Sequence, residues 1–238
     1  MINIMREHFK RPDKKIARRG IFLLITAVAF FFLFVPGAWA VVFLRMYEKG
    51  ESFQGRAFDI AVESSTARYV YIAGESNSGS PKVLKYNSLG VVAESTVNFS
   101  ASAPKAVALD PTGSFLYVVG DNGYQQPGVV SKYDSSLNLI ASTNTNTFIN
   151  LCDFQVGLND VAVDSGGVYV VGTYEYRADL GAGCDESTDN YQVRFIKYDP
   201  SLVLPIIRQE LYGSPAPIDE YAYGVSVDGD GNAYVAGE

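Results

Sequence analysis

Carboxylates, tyrosines and two cysteines are the residues of this chain that could perform chemistry, because histidine is almost absent. The one histidine, His8, lies in a basic stretch near the N-terminus. The residues after it therefore cannot form a Ser-His-Asp triad, a Cys-His dyad or a His-ligated metal site. We predict no cofactor and assign no catalytic residue.

Acidic residues are the remaining candidates for catalysis. Two carboxylates held about 5–10 Å apart can hydrolyse a glycosidic bond, so a carbohydrate-active enzyme is one hypothesis. The sequence does not fix the distances between these acids, and solvated loop acids are the simpler interpretation. The acids concerned are Asp153, Asp160, Asp179, Asp185, Glu186, Asp189, Asp219 and Glu220.

A short acidic segment resembles the beginning of a calcium loop. Asp228, Asp230 and Asn232 alternate with glycines, which places oxygen ligands at every second position. Ala233 stands where such a loop requires glycine, and the same segment fits a hairpin turn. We retain these three residues as a calcium candidate and expect no other metal site.

An insertion at residues 173–192 is the strongest candidate for binding a ligand or partner. It contains Tyr174, Tyr176 and Arg177, which are residue types enriched in interface hot spots. A shorter loop with Tyr124 precedes it in the chain, and both are predicted to project from the same face. A loop without a binding role is the alternative.

The two cysteines, Cys152 and Cys184, lie in segments predicted as loops. An oxidising compartment would allow them to form a disulfide, which we predict, and two free thiols are the alternative.

Three short motifs recur in a fixed order and must position these residues. The first is an apolar strand ending in an acid, the second is Tyr-x-x-Gly, and the third is Lys-Tyr-Asn/Asp followed by Ser-Leu. The motifs begin at Ile60, Val107, Val161 and Val225; at Tyr71, Tyr117, Tyr169 and Tyr234; and at Lys85, Lys132 and Lys197.

Each motif predicts one β-strand. Val, Ile and Tyr favour strands, and turn formers such as those at residues 111–114 separate the first two motifs. Residues 91–97, 137–143 and 202–211 supply a fourth strand. The sequence therefore predicts an all-β fold, a β-propeller of four-stranded antiparallel blades with about three and a half blades present.

The last repeat resembles a known family. Residues 212–238 combine a Tyr-Gly turn, an acidic approach and the run Val-Asp-Gly-Asp-Gly-Asn-Ala-Tyr-Val-Ala-Gly. This pattern is similar to the bacterial β-propeller repeat of the SBBP type, and the earlier repeats match it more loosely. The resemblance implies a propeller in an exported or surface protein.

Residues 1–40 read as a signal peptide, with an uncleaved membrane anchor as the alternative. A basic stretch precedes an uncharged run, and the small residues Ala38 and Ala40 follow the breakers Pro36 and Gly37. Residues 41–238 form the second predicted domain, with residues 41–47 as an outer strand. Two strands follow the third blade, so we expect a propeller that is incomplete at the C-terminus, a fragment of a longer protein.

Charge narrows the choice of partner. Residues 1–20 hold seven of the 19 Lys and Arg but only two of the 26 acids, so the rest carries 12 basic and 24 acidic residues. The net negative charge of residues 21–238 repels phosphate backbones, and we exclude nucleic acid as a partner.

The function that we expect is an exported, non-enzymatic binding scaffold in the periplasm, at the cell surface or outside the cell. Its blade loops contact a protein or a glycan, and it meets a membrane only if the N-terminal segment is uncleaved. The carbohydrate-active enzyme and an architectural spacer of a larger surface protein are the alternatives.

Overall fold

The structure is a computed structural model that describes residues 55–64, 68–76, 78–87, 92–96, 99, 103–122, 127–145, 154–179, 184–203, 205–211 and 219–238. The chain divides into two units, Met1–Met46 and Tyr47–Glu238. Every described residue lies in the second unit, so the predicted signal peptide and outer strand at residues 41–47 lie outside the described residues. None of the described residues belongs to a helix that could cross a membrane.

Fourteen β-strands make up the described part of the chain. Blade 1 contains β1 to β4, blade 2 contains β5 to β8, blade 3 contains β9 to β12, and β13 pairs with β14 alone. The strands are β1 Gly55–Val62, β2 Val70–Ser76, β3 Pro81–Tyr86, β4 Val92–Thr96, β5 Ala103–Leu109, β6 Phe115–Asp121, β7 Val129–Asp134, β8 Leu139–Asn144, β9 Phe154–Asp164, β10 Gly167–Asp179, β11 Cys184–Tyr198, β12 Pro205–Leu211, β13 Ala222–Val227 and β14 Ala233–Gly237.

These sheets confirm the predicted fold class. Each blade is an antiparallel meander in which every strand pairs with the next one along the chain. The first, second and third motifs lie in the first, second and third strands of their blades, and the fourth strands lie within two or three residues of the predicted limits. The described part of the chain is a β-propeller-like array of blades.

The insertion at residues 173–192 differs from its prediction as a loop. The second and third strands of blade 3 continue into it, and Tyr174 pairs with Gln192 while Tyr176 pairs with Asn190. Strand pairing satisfies the backbone N–H and C=O groups that a long loop would have to expose to water. The insertion is therefore largely an extended β10–β11 hairpin.

Apolar side chains fill the spaces between successive blades. Val83 and Tyr71 of blade 1 pack with Leu116 and Val118 of blade 2. The other face of blade 2 packs on blade 3, and the opposite face of blade 3 packs on β13. The first strands β1, β5, β9 and β13 contact one another in that order. Stacking thus buries faces that a single blade would leave in water.

The acid that ends the first strand closes the turn to the second strand. The Asp110 carboxylate accepts hydrogen bonds from the amides of Phe115 (2.7 Å) and Thr112 (3.3 Å). Asp164 accepts one from the Gly166 amide, 2.7 Å away. These are Asx-type turns, in which the side chain replaces a backbone acceptor.

The Ser-Leu pair after the third motif locks adjacent blades together. Leu137 and Leu202 adopt positive φ angles of 61° and 60°, an unfavourable conformation for a branched residue. Both are buried against the preceding blade, Leu137 on blade 1 and Leu202 on blade 2. Burial of the leucine side chain offsets the backbone cost.

The lysine of the third motif completes this lock. Lys132 Nζ lies 3.9 Å from the centre of the Phe115 ring and donates to the Pro200 carbonyl at 2.9 Å, in the blade 3 turn that carries Leu202. Lys85 likewise lies 4.0 Å from the Tyr69 ring centre and donates to the Ser135 carbonyl at 2.5 Å. Each lysine therefore binds the turn whose leucine packs back on the lysine's own blade.

Candidate binding site

A β-bulge interrupts the first strand of every blade at the same place. The register of the first strand shifts by one residue opposite the glycine of Tyr-x-x-Gly, which leaves one residue unpaired. The unpaired residues are Phe58 in β1, Lys105 in β5, Asn159 in β9 and Tyr223 in β13. We call them the bulge residues, and the end of the blades at which they lie the bulge end.

The glycine of the second motif makes the bulge possible. A Cβ atom at Gly120 would lie 2.0 Å from the Ala103 carbonyl oxygen, and one at Gly172 would lie 2.2 Å from the Gly157 carbonyl oxygen. Gly74 and Gly237 face backbone oxygens in the same way, at 2.2 and 2.0 Å. The backbone of the first strand therefore approaches each of these glycines too closely to leave room for a side chain. Bulges often re-aim a side chain near a functional site.

The bulge residues of adjacent blades contact neighbouring groups at this end. Lys105 Nζ lies 5.4 Å from the ring centre of Phe58 and 3.4 Å from Asp121 Oδ2. Asn159 Nδ2 donates to the Ala222 carbonyl, 2.7 Å away in β13. Phe58 and Tyr223 are 38% and 57% exposed. Four chemically different side chains thus occupy one structural position.

Three aspartates beside the bulges join neighbouring blades. Asp59 Oδ2 accepts from the Val107 amide at 2.8 Å, and Asp160 Oδ2 accepts from the Val225 amide at 2.7 Å. Asp121 accepts from the Leu158 amide. Asp59 thus links blade 1 to blade 2, Asp121 links blade 2 to blade 3, and Asp160 links blade 3 to β13.

Burial alters the acidity of two of these aspartates. Loss of solvation raises the pKa of Asp160, and the nearby charge of Asp59 adds to this, while bonds from Val225 and Val161 act in the opposite direction. Burial also raises the pKa of Asp121, although Lys105 favours its charged form. Desolvation therefore dominates at both carboxyl groups.

Three tyrosines lie side by side where the hairpin meets β13. The ring centres of Tyr191 and Tyr221 are 5.5 Å apart, and those of Tyr221 and Tyr223 are 6.4 Å apart with planes inclined by only 5°. We call these three residues the tyrosine platform. Its position at the bulge end brings it next to the β10–β11 hairpin.

The predicted binding residues have different positions relative to this end. Tyr174 is fully buried in blade 3, where its hydroxyl donates to Gln192 Oε1 and its ring lies 3.9 Å from the Arg194 guanidinium carbon. Only the positions of Tyr176 and Arg177 within β10 are described. Tyr124 lies outside the described residues. Tyr174 therefore supports the base of the hairpin and does not lie on its surface.

The cysteine pairing stays a prediction. Cys152 lies outside the described residues, and of Cys184 only its place as the first residue of β11 is described.

In the calcium candidate, the carboxylate oxygens of Asp228 accept hydrogen bonds from the turn and from Tyr234. Asp228 Oδ1 accepts from the amides of Asp230 (3.0 Å) and Asn232 (2.9 Å), and Oδ2 accepts from Asn232 Nδ2 and the Tyr234 hydroxyl, both at 2.9 Å. These bonds lower the Asp228 pKa to about 2, with the Asn232 side chain as the largest cause. Across the described residues, no group of three or more His, Cys, Asp or Glu side chains is arranged to hold a metal ion.

The bulge residues and the tyrosine platform were not predicted from the sequence. A bulge adds one residue without disturbing the apolar pattern on either side of it, so strand periodicity does not reveal it. The signal that could have located it is the glycine of Tyr-x-x-Gly, which recurs opposite each bulge. Tyr191 and Tyr223 lie far apart in sequence and meet only through folding.

Comparisons with known proteins give likenesses at the level of structure. No protein-family model matches the chain, and no curated protein is similar to it in sequence. A neuraminidase-like protein from A/bat/Guatemala/164/2009 is 8% identical with a TM-score of 0.44, and the match covers 77% of this chain. This chain spans only 54% of the length of that protein.

Two further solved structures are similar. The crystal structure of a nidogen/laminin complex contains a chain that is 15% identical with a TM-score of 0.35, and the match covers 77% of this chain and 73% of that one. A hypothetical protein from Leishmania major is 11% identical with a TM-score of 0.30, with coverage of 82% and 86%.

Proposed function

We propose that this chain is an exported, non-enzymatic β-propeller binding module of the SBBP type that presents its bulge end to a protein or glycan partner. One observation carries the proposal: the bulge end places a different side chain in each blade beside an extended hairpin. Phe58 and Tyr223 are exposed while Lys105 and Asn159 are half-buried, and chemically varied positions on a rigid scaffold are suited to recognition.

The location and the domain limits belong to the same proposal. Residues 1–40 direct export as a signal peptide, or remain as an anchor, and residues 41–238 act in the periplasm, at the cell surface or outside the cell. The excess of 24 acidic over 12 basic residues after residue 20 argues against nucleic acid as a partner. An oxidising location would permit the Cys152–Cys184 disulfide.

Shortening the hairpin tests this proposal without disturbing the platform. Glu175 and Tyr191 are cross-strand partners, so residues 176–190 can be replaced by Asn-Gly, which forms a tight hairpin turn. We expect the shortened chain to lose binding by about tenfold or more on arrays of glycans and of surface-protein peptides, since few residues carry most of the binding energy of an interface. The deletion removes Cys184 and with it the proposed disulfide, so far-ultraviolet circular dichroism and thermal unfolding should stay close to those of a parent chain carrying Cys184→Ser.

The control variant changes the opposite end of the blades. Ser136 and Asp230 are exposed and lie in turns away from the bulges, so Ser136→Ala with Asp230→Ser should bind like the parent chain. Full binding by the shortened chain, or an equal loss in the control, would contradict the proposal.

A carbohydrate-active enzyme is the second candidate because Asp59 and Asp160 lie close enough to interact. Burial raises the pKa of Asp160 and the charge of Asp59 adds to this, and a raised pKa is expected of the general acid in glycoside hydrolysis. Against it, both oxygens of each carboxylate accept backbone hydrogen bonds, from Ile60 and Val107 at Asp59 and from Val161 and Val225 at Asp160. These bonds assign both residues to holding strands together.

A panel of nitrophenyl glycosides separates the two candidates. The binding module should release no nitrophenol, whereas the enzyme should release it and lose the activity in both Asp59→Asn and Asp160→Asn. A role as an architectural spacer predicts neither turnover nor any effect of shortening the hairpin.

A further inference from the structure

The tyrosine platform is held in a fixed geometry by backbone bonds. The amide of Tyr221 donates to the Glu238 carbonyl at 2.7 Å, and the Glu238 amide donates back to Tyr221 at 2.9 Å. The Glu220 amide donates to the Tyr191 carbonyl at 2.7 Å, and the Tyr191 amide donates to Asp219 Oδ1 at 3.0 Å. Because the rings are placed before any ligand arrives, binding does not have to order them.

Tyr223 offers the exposed face of this platform. Its side chain is 57% exposed, its ring lies parallel to that of Tyr221, and its hydroxyl donates to Glu238 Oε1. Anchoring the hydroxyl fixes the orientation of the ring and leaves the ring itself accessible. An aromatic face of this kind can receive an apolar group or a cation.

The surroundings of the platform are strongly acidic. Asp219 accepts a hydrogen bond from the Tyr191 amide, Glu220 precedes Tyr221 in the chain, and Glu238 accepts a hydrogen bond from the Tyr223 hydroxyl. The hydrogen bond to Glu238 and its charge raise the pKa of Tyr223, and the charges of Asp219 and Glu238 add to the effect of desolvation at Tyr221. The local potential is therefore negative, which favours a cationic ligand over a neutral one.

The same chemistry recurs inside the molecule. Lys197 Nζ lies 4.5 Å from the ring centre of Tyr169, and the guanidinium carbon of Arg194 lies 3.9 Å from that of Tyr174. Tyrosine faces in this fold thus receive cationic side chains at normal cation–π distances. The tyrosine platform combines such a face with exposure to solvent.

We propose that the tyrosine platform binds a lysine or arginine side chain from a basic segment of a partner protein. This inference rests on the proposed binding function and chooses protein over glycan as the partner. Coulomb attraction to Asp219, Glu220 and Glu238 brings the basic segment to the surface, and one cation lies over the exposed ring of Tyr223. A neutral glycan gains nothing from these charges.

Model peptides provide the test. The protein is the chain of residues 1–238, kept in a non-ionic detergent because the uncharged, apolar run at residues 20–44 would otherwise promote aggregation. The probes are labelled peptides in which serine alternates with lysine, arginine or glutamate, together with a labelled neutral oligosaccharide. We expect the lysine and arginine peptides to bind, as measured by fluorescence anisotropy. Their affinity should fall steeply as ionic strength rises from about 0.02 M to about 0.5 M.

Three substitutions locate the site. Tyr223→Ala should weaken binding of the lysine peptide by about five- to thirtyfold, the range expected for a cation–π contact. Tyr223→Phe keeps the aromatic face and should change binding by no more than about twofold. Tyr234→Ala is the matched control, because Tyr234 is 58% exposed and donates to a carboxylate but lies outside the platform.

The inference is overturned if the basic peptides do not bind, if Tyr223→Ala binds them as well as the parent chain does, or if Tyr234→Ala weakens binding as much. It is also overturned if the oligosaccharide or the glutamate peptide binds in a Tyr223-dependent way. Loss of array binding on shortening the hairpin would then still support the proposed function. If the shortened chain binds the arrays as well as the parent chain does, and the lysine peptide still binds in a Tyr223-dependent way, the wider proposal is rejected and the inference about the tyrosine platform stands.

Discussion

The two ends of the blades use their residues in opposite ways. At the turn end, where the second strand begins, the same motifs recur in every blade. Their polar groups form hydrogen bonds within the turns and to the next blade. At the bulge end, one backbone device recurs while the side chain that it carries changes from Phe58 to Lys105, Asn159 and Tyr223. Repetition within this chain therefore marks structure, and variation at an equivalent position marks the candidate site.

The largest expected effect comes from filling the space beside a bulge. In Gly120→Val, Cβ would lie 2.0 Å from a backbone oxygen, so either the bulge or the β5–β6 pairing must give way. We expect a loss of about 3 kcal/mol or more in the free energy of unfolding, measured by urea denaturation. Gly229→Ala is the control, because no atom lies within 4 Å of its added Cβ, and a comparable loss there would contradict the account.

The next effect contrasts a lysine at the turn end with one at the bulge end. Lys132→Met removes a nearly buried ammonium that donates to the Pro200 carbonyl, and should cost about 1.5–3 kcal/mol, the range for a hydrogen bond to a charged group. Lys105→Met breaks a partly exposed ion pair with Asp121 and should cost no more than about 1 kcal/mol. Urea denaturation measures both, and a reversed order would contradict the division of roles.

A smaller effect concerns pH, and the two ends should respond with opposite sign. Hydrogen bonds lower the folded-state pKa of Asp228 to about 2, below its ordinary 3.8, so its stabilising contribution is present above pH 4 and is lost as pH falls towards 2. Burial raises the folded-state pKa of Asp160, so its protonation favours the folded state, and this contribution increases as pH falls towards 4.

Melting temperature as a function of pH measures both contributions. Compared with the parent chain, Asp228→Asn should lose less stability between pH 4 and about 2. Asp160→Asn should lack the stabilisation that the parent chain gains on acidification from neutral pH towards 4. The same change of slope in both variants would show that the two aspartates do not differ as described.

The fold was predictable because the strand signals are local. Val161-Ala162-Val163-Asp164 and Tyr169 to Gly172 carry their own β-propensity and turn residues, so their place in a blade can be read from the chain. The Ser-Leu pair was visible as a repeat, but its role depends on a neighbouring blade that receives Leu137 or Leu202. No local pattern contains that information.

The candidate site was less predictable because it is assembled from separate strands. Tyr191 lies in the third strand of blade 3 and Tyr223 in β13, and only sheet packing brings them to one surface. The sequence did identify the insertion at residues 173–192, yet its polar and glycine-containing composition suggested a loop where paired strands continue. Tyr174 was selected by residue type alone, and strand alternation places it inside.

Hydrogen bonds from backbone amides to aspartate carboxylates hold adjacent blades together. Residue-resolved amide hydrogen exchange tests this arrangement most directly. The amides of Val107 and Val225 should exchange slowly in the parent chain, because the carboxylates of Asp59 and Asp160 accept from them. Asp59→Ala should speed exchange at Val107, and Asp160→Ala at Val225, each leaving the other amide protected. Fast exchange at both amides in the parent chain, or no response to either substitution, would contradict the arrangement.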